Sequence, residues 1–309
     1  MKNTTTHRLI KGIAVTALAA IASLSHAAIN VLACEPEWAA LAQELGGDQI
    51  KATSATTALQ DPHRVEARPS LIARARNADL LVCAGLELEV GWLPILLQQS
   101  GNPKIAPGQP GNFEAGAFVQ RLEVPTRLDR SEGDIHPGGN PHIQTDPRNI
   151  AVVAGALSKR LAQIDPPNAA AYQSRYSEFS SKWKAAIGKW EQQAAPLKGV
   201  TAVLHHKNMN YLFNWLGIIE VGTLEPKPGI EPSAAHLAEL AAKLQQQPAK
   251  MVVRAAYQDG RASEWLAEHA KIPAVVLPFT VGGNDKAKDL YGLFDDTIAR
   301  LIVANAAAK

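Results

Sequence analysis

Residues 169–193 are rich in Ala, Lys, Glu and Gln and place Tyr172, Tyr176, Phe179, Trp183, Ile187 and Trp190 three or four positions apart. That spacing predicts one long amphipathic helix, because residues so separated share one helical face. Pro166 and Pro167 stand just before it and Pro196 just after, where helix boundaries tolerate proline. About 25 residues at ~1.5 Å each span roughly 37 Å, enough to run along two domains as a stiff connector.

The segments on either side repeat one pattern. Before the helix, strand-like apolar runs are expected at Ile29 to Ala33, Ile50 to Ala55, Leu80 to Cys83 and around Lys104 to Ala106, alternating with helices at Glu37 to Leu45, Ser70 to Asn77 and Glu89 to Gln99. After it, runs at Thr201 to His205, Ile218 to Gly222, Met251 to Ala255 and Ala274 to Leu277 alternate with helices at Ser233 to Leu244, Arg261 to His269 and Lys288 to Val303. A βαβ rhythm occurring twice defines an α/β fold class with two domains. The expected division is a leader at 1–27, an N-terminal lobe at 28–165, the linking helix at 166–195 and a C-terminal lobe at 196–309.

The leader has a basic start at Lys2, Arg8 and Lys11, a short apolar stretch from Ile13 to Leu24, and small residues around Ala27. It reads as an export signal cleaved after Ala27, too short to span a bilayer. Its removal takes three of the 31 basic residues and no acidic one, leaving 28 against 29. A near-neutral chain of roughly 280 residues does not suit a nucleic-acid partner or an anionic membrane surface. Val31-Leu32-Ala33-Cys34 has the look of a lipoprotein box, but Asn30 interrupts the apolar stretch and the segment reads better as the first core strand. Cys34 and Cys83 each end a strand-like run; they form a disulfide if those strands are neighbours, and otherwise are two buried thiols.

Three histidines fall in connections between these elements: Asp61-Pro62-His63, Asn140-Pro141-His142 and His205-His206-Lys207-Asn208. In parallel α/β sheets ligands gather outside the carboxyl ends of the strands. Imidazoles from both domains fit a metal cleft between them, and neutral imidazole is a preferred ligand of Zn²⁺. The sequence has no HExxH helix, nucleophile elbow or phosphate loop, which argues against an enzyme; an exported zinc-dependent hydrolase is the enzymatic alternative.

The segments Asp61-Pro62-His63 with Pro69-Ser70, Gly85-Leu86-Glu87-Leu88-Glu89 before Trp92-Leu93, Asn140-Pro141-His142 with Asp146-Pro147, and Glu225-Pro226 to Ile230-Glu231-Pro232-Ser233 together resemble the zinc/manganese solute-binding proteins of bacterial ABC importers, the ZnuA/TroA-like group and its zinc subgroup. The resemblance covers essentially the whole chain after the leader. It implies two lobes with four-stranded parallel sheets, one backbone helix, and Zn²⁺ carried as the transported ligand in the cleft. It further implies a periplasmic monomer that serves an inner-membrane permease and ATPase; a metallochaperone is a candidate further partner.

The same resemblance assigns His63 and His142 as ligands, and Tyr211, five positions on, points to His206 rather than His205. Where the family has an aspartate directly after the last strand this chain has Val281, so Asp285 is the expected fourth donor, with Asp289, Glu225 and Glu231 as alternatives. His136, in the polar loop from Arg127 to Asn140, is assigned a transient contact with the metal. Manganese members carry a carboxylate at the position of His206, which makes manganese the alternative cargo. An adhesin-type lipoprotein of the same fold is a further alternative function.

Overall fold

The computed structural model describes residues 28–127, 133 and 136–307. The expected export signal and its cleavage point at Ala27 lie outside the described residues, as do residues 128–132, 134 and 135 of the polar loop.

One sheet holds β1 (Ile29–Ala33), β2 (Ile50–Ser54), β3 (Leu80–Cys83) and β4 (Asn112–Glu114) in the order β2-β1-β3-β4. The second holds β5 (Thr201–Leu204), β6 (Ile219–Thr223), β7 (Met251–Ala255) and β8 (Ala274–Leu277) in the order β6-β5-β7-β8. Every paired strand is parallel. The central strands β3 and β7 are apolar and almost wholly buried, as strands covered on both faces must be, whereas edge strand β6 stays partly open. In each sheet the chain winds first to one side and then to the other. A crevice therefore opens between the carboxyl ends of β1 and β3, and another between those of β5 and β7.

The helices are α1 (Pro36–Gly46), α2 (Pro69–Arg76), α3 (Leu93–Ser100), α4 (Pro147–Ile164), α5 (Ala169–Ala194), α6 (Asn210–Leu216), α7 (Ala234–Gln246), α8 (Arg261–Ala270) and α9 (Leu290–Ala307). No helix among the described residues is long and apolar enough to cross a membrane. Two expectations need correction. The segment around Lys104 is a 3-10 turn over Pro103–Ile105, because Pro103 lacks an N–H and the Asn102 side chain caps the Lys104 amide; the fourth strand comes later, with Phe113 opposite Val82. Helix α3 starts at Leu93 instead of Glu89. Gly85, Leu86 and Glu87 all have positive φ (73°, 54° and 67°), and this left-handed turn folds the Glu89 carboxylate back onto the amides of Ala84 and Gly85. A short aromatic helix, α6, also stands between β5 and β6, where none is expected from the sequence.

Helix α5 is the long connector, 26 residues from Ala169 to Ala194. Tyr172, Phe179, Trp183 and Trp190 from the expected stripe are buried. The Trp183 indole donates to the Pro147 carbonyl at the start of α4 (2.8 Å), and the Trp190 indole donates to Asp295 Oδ1 on α9 (2.7 Å). One helix thus fastens to both lobes, and the buried side chains of both sheets join α5 in a single continuous core.

Cys34 and Cys83 are joined in a disulfide, since β1 and β3 are neighbours and the two residues leave the sheet side by side. Three buried carboxyl groups crowd this crevice: Glu35, Glu37 and Glu89, each at most 3% exposed. Burial, reinforced by the charges of Glu89 and Glu37, pushes the Glu35 carboxyl well above the usual range. Burial also pushes Glu37 and Glu89 up to about 7. Glu37 accepts a hydrogen bond from the Thr280 hydroxyl, which ties α1 to the segment after β8 in the other lobe.

Replacing Trp183 by Ala removes both a fully buried indole of α5 and its bond to α4; denaturant unfolding is expected to register a loss of about 3–5 kcal/mol. The raised carboxyls give stability that is complete at low pH and disappears as pH rises through about 7, because the unfolded chain ionises first. In Glu37→Gln that decline between mildly acidic and mildly alkaline pH should shrink by about 3 kcal/mol in pH-dependent unfolding curves.

Candidate metal site

His63 follows β2, in a turn held by its own aspartate. Asp61 Oδ1 accepts from the His63 amide (3.0 Å) and lies 2.8 Å from the ring Nδ1. Burial tends to raise the Asp61 carboxyl, but its hydrogen bonds with His63 and the charge of that ring outweigh this and hold it below the ordinary range. The turn is anchored from outside by Trp92, whose indole donates to the Pro62 carbonyl (2.9 Å).

His206 leaves the carboxyl end of β5, and its Nδ1 lies 2.7 Å from Glu225 Oε2. Glu225 also accepts from the Gly229 amide (2.8 Å), so this carboxylate is fixed before it touches the ring. An Nδ1–H donated to a carboxylate sets the tautomer and leaves Nε2 as a lone-pair donor, the arrangement found around metal-bound histidines.

His142 precedes α4 and is 1% exposed. Both of its ring nitrogens are buried with no hydrogen-bond partner, and the ring meets Phe279 edge-on at 5.6 Å. Burial, then the neighbouring His63, His206 and His136, depresses its pKa well below the usual value and keeps it neutral. A fully buried imidazole with two orphaned nitrogens is costly unless something binds it.

These three rings come together across the lobes. One ligand atom from each of His63, His142 and His206 lies within 4.8 Å of the others, and the ring centroids are separated by 5.2, 5.8 and 5.5 Å. Asn140 sets the junction: its Oδ1 accepts from the His142 amide (3.0 Å), and its Nδ2 donates to the Lys207 carbonyl in the other lobe (2.7 Å). Tyr211 closes a second link, since its hydroxyl accepts from the Leu122 amide and donates to the Asn140 carbonyl.

Asp285 does not join this group. Asn284 shapes its turn by accepting from the amides of Lys286 and Ala287 while donating to Asp296, and Asp285 is left exposed. Asp289 accepts from the Gly292 amide at the head of α9, and Glu231 is exposed. The residue that does approach is His136, whose Nε2 lies 3.4 Å from that of His63. His136 approaches one ring of the cluster, and the group whose ligand atoms all lie within 4.8 Å of one another comprises His63, His142 and His206. Burial, then His63 and His206, lowers His136 to about 4. His136, His142 and His206 line one cavity of about 290 Å³. Reasoning from the sequence missed the supporting roles of Glu225 and Asn140. The signal for Asn140 was its place two residues before His142, a spacing at which an Asn side chain caps a backbone amide.

Two doubly wound sheets meeting over a shared histidine cluster define a two-lobed binding-protein architecture. Residues 31–304 match the family model "Zinc-uptake complex component A periplasmic". The chain belongs to this family. It is 27% identical over 165 residues to the manganese ABC transporter substrate-binding lipoprotein ScaA of Streptococcus gordonii, covering 52% of this chain and 50% of that protein. It is 25% identical over 103 residues to the high-affinity zinc uptake system protein ZnuA of Brucella abortus, covering 33% and 31%. The chain thus spans about half or less of the length of these two curated relatives. A crystal structure of ZnuA superposes with a TM-score of 0.75 at 20% identity, covering 90% of this chain and all of that one.

Loss of the Glu225 carboxylate in Glu225→Ala frees the His206 ring. Cation affinity measured by competition with a chromophoric chelator should fall about 10- to 100-fold.

Proposed function

We propose that this protein captures a divalent cation, Zn²⁺ by preference, between its two lobes outside the inner membrane and delivers it to an ABC import permease and its ATPase. The observation that carries the reading is the convergence of His63, His142 and His206 from both lobes, two of them held at Nδ1 by carboxylates. The family and its manganese and zinc relatives support a cation as cargo. Zinc is favoured over manganese because the donors are nitrogens, which suit a borderline ion, whereas Mn²⁺ prefers oxygen. The protein acts as a carrier and not as an enzyme, in keeping with its family and with relatives that are substrate-binding components of transporters.

We assign the fourth position to His136 in place of Asp285, on the 3.4 Å spacing to His63 and the exposure of Asp285. His136 stands in the polar loop between Arg127 and Asn140. Docking on the permease, and receipt of metal from a metallochaperone, belong to the same proposal, as do export with cleavage after Ala27 and the division into lobes at 28–165 and 196–309 around the linking helix.

Calorimetric titration and elemental analysis should give one tightly held zinc per chain and weaker manganese. His206→Ala should abolish tight binding, and unchanged zinc affinity in that variant would overturn the site. His136→Ala should weaken zinc about 10- to 100-fold while Asp285→Ala leaves it unchanged; the opposite pattern would return the fourth position to Asp285. Each imidazole must be neutral to bind, so affinity should fall as pH drops below ~6.

A further inference from the structure

The crevice of the N-terminal sheet, between the carboxyl ends of β1 and β3, is where a doubly wound sheet ordinarily holds a ligand, and the carrier function leaves it unused. Cys34 follows β1, Cys83 ends β3, and the turn after β3 brings Glu89 back to them. One Sγ from each cysteine and one carboxylate oxygen of Glu89 lie within 4.8 Å of one another, the same limit that the three histidines meet. All three residues are at most 2% exposed.

Two further observations mark the place. Glu35, next to Cys34 in the chain and 3% exposed, has neither carboxyl oxygen engaged in a hydrogen bond, and the largest charges acting on it are those of Glu89 and Glu37, both of its own sign. Carboxyl groups this deep are normally paired with a cation. The second observation is access: Cys83 and Glu89 line a cavity of about 440 Å³ whose apolar wall includes Leu86, Leu93 and Leu97. A disulfide kept only for stability needs neither a buried carboxyl against its sulfurs nor an opening toward one of them.

We propose that Cys34, Cys83 and Glu89 form a thiol-dependent metal site, closed while the sulfurs are joined and opened when a dithiol reduces them, for a borderline or soft dication such as Zn²⁺, Co²⁺ or Cd²⁺. One thiolate of the reductant attacks Sγ of Cys83, the cysteine that lines the cavity; the Cys34–Cys83 bond breaks, and Cys34 leaves as a thiolate that takes up a proton. The second thiol of the reductant then displaces Cys83, so the dithiol is oxidised by two electrons to its own disulfide and the protein is left with two thiols. The dication displaces both thiol protons to solvent and binds the two thiolates and the Glu89 carboxylate. Two sulfurs with one carboxylate favour Zn²⁺ and softer ions over Mg²⁺ or Ca²⁺. Glu89 keeps its place when the sulfurs part, because its Oε1 accepts from the Ala84 amide (2.8 Å) and its Oε2 from the Gly85 amide (3.2 Å). The site uses none of the cluster histidines and does not rest on the carrier function.

The full chain, reduced with a dithiol and freed of it by anaerobic gel filtration, should expose both thiols to a thiol reagent without denaturant. It should then bind one more equivalent of Co²⁺ than the oxidised chain, with a sulfur-to-metal charge-transfer band in the near ultraviolet. Cys83→Ser should lose the band, and Glu89→Gln should keep it while weakening the added equivalent about 10-fold or more. A disulfide that resists the dithiol in the folded protein, a reduced chain that has lost its circular dichroism, no added equivalent, or an added equivalent without the band overturns the site. An unchanged affinity in Glu89→Gln overturns the three-donor set. Failure of the carrier function would remove the equivalent common to both redox forms and leave the difference between them standing.

Discussion

Everything at the cleft depends on the two lobes being held in one register, and that register is set by a helix with a hydrogen bond at each lobe. Trp183 donates into the head of α4 and Trp190 into α9, so α5 cannot roll or slide without leaving an indole N–H buried and unpaired. The aromatic packing around it extends the constraint, with Trp183 and Trp190 in contact with each other and each with Tyr291 and Phe294. Two sheets seated on one core leave little freedom for wide hinge motion. Small rearrangements of the loops therefore become the natural way to admit and release an ion.

Within that frame the cleft combines groups that folding alone would avoid. His142 is buried with both nitrogens orphaned, and His136 faces His63 nitrogen to nitrogen. Asp61 and Glu225 make the arrangement tolerable by fixing two of the rings from behind, and an ion at the centre would satisfy the nitrogens that remain. The crevice of the other sheet is different in kind. There the disulfide and three buried carboxyls meet, and burial raises each of those carboxyls above its ordinary range.

Much of the fold was legible because its signals are local. Seven of the eight strands stand within a residue or so of where apolar runs place them, and α5 runs from the expected Ala169 to Ala194. The eighth was misplaced because β4 is a three-residue edge strand, Asn112–Glu114, with one buried side chain and no periodicity to detect. The start of α3 differs because Leu86 and Glu87 adopt left-handed backbone, in a turn that lets the Glu89 carboxylate accept from the Ala84 and Gly85 amides. In the site, the three histidines were legible from the turns they occupy. The Gly282-Gly283 turn after the last strand suggests that Asp285 folds back to the site, and nothing in the sequence announces that Asn284 takes the turn and leaves Asp285 in solvent.

The sequence by itself determined the α/β class, the connecting helix and the kind of donor available, because hydrophobic period and imidazole chemistry are properties of short segments. Which donors meet was decided only in three dimensions. His63, His142 and His206 come from connections as much as 143 positions apart, between His63 and His206. Their positions follow from strand order, from the seating of α5 and from the Asn140 bridge between lobes. The disulfide was settled in the same way: two cysteines became partners because β1 and β3 lie side by side, an outcome of long-range pairing that no local pattern encodes.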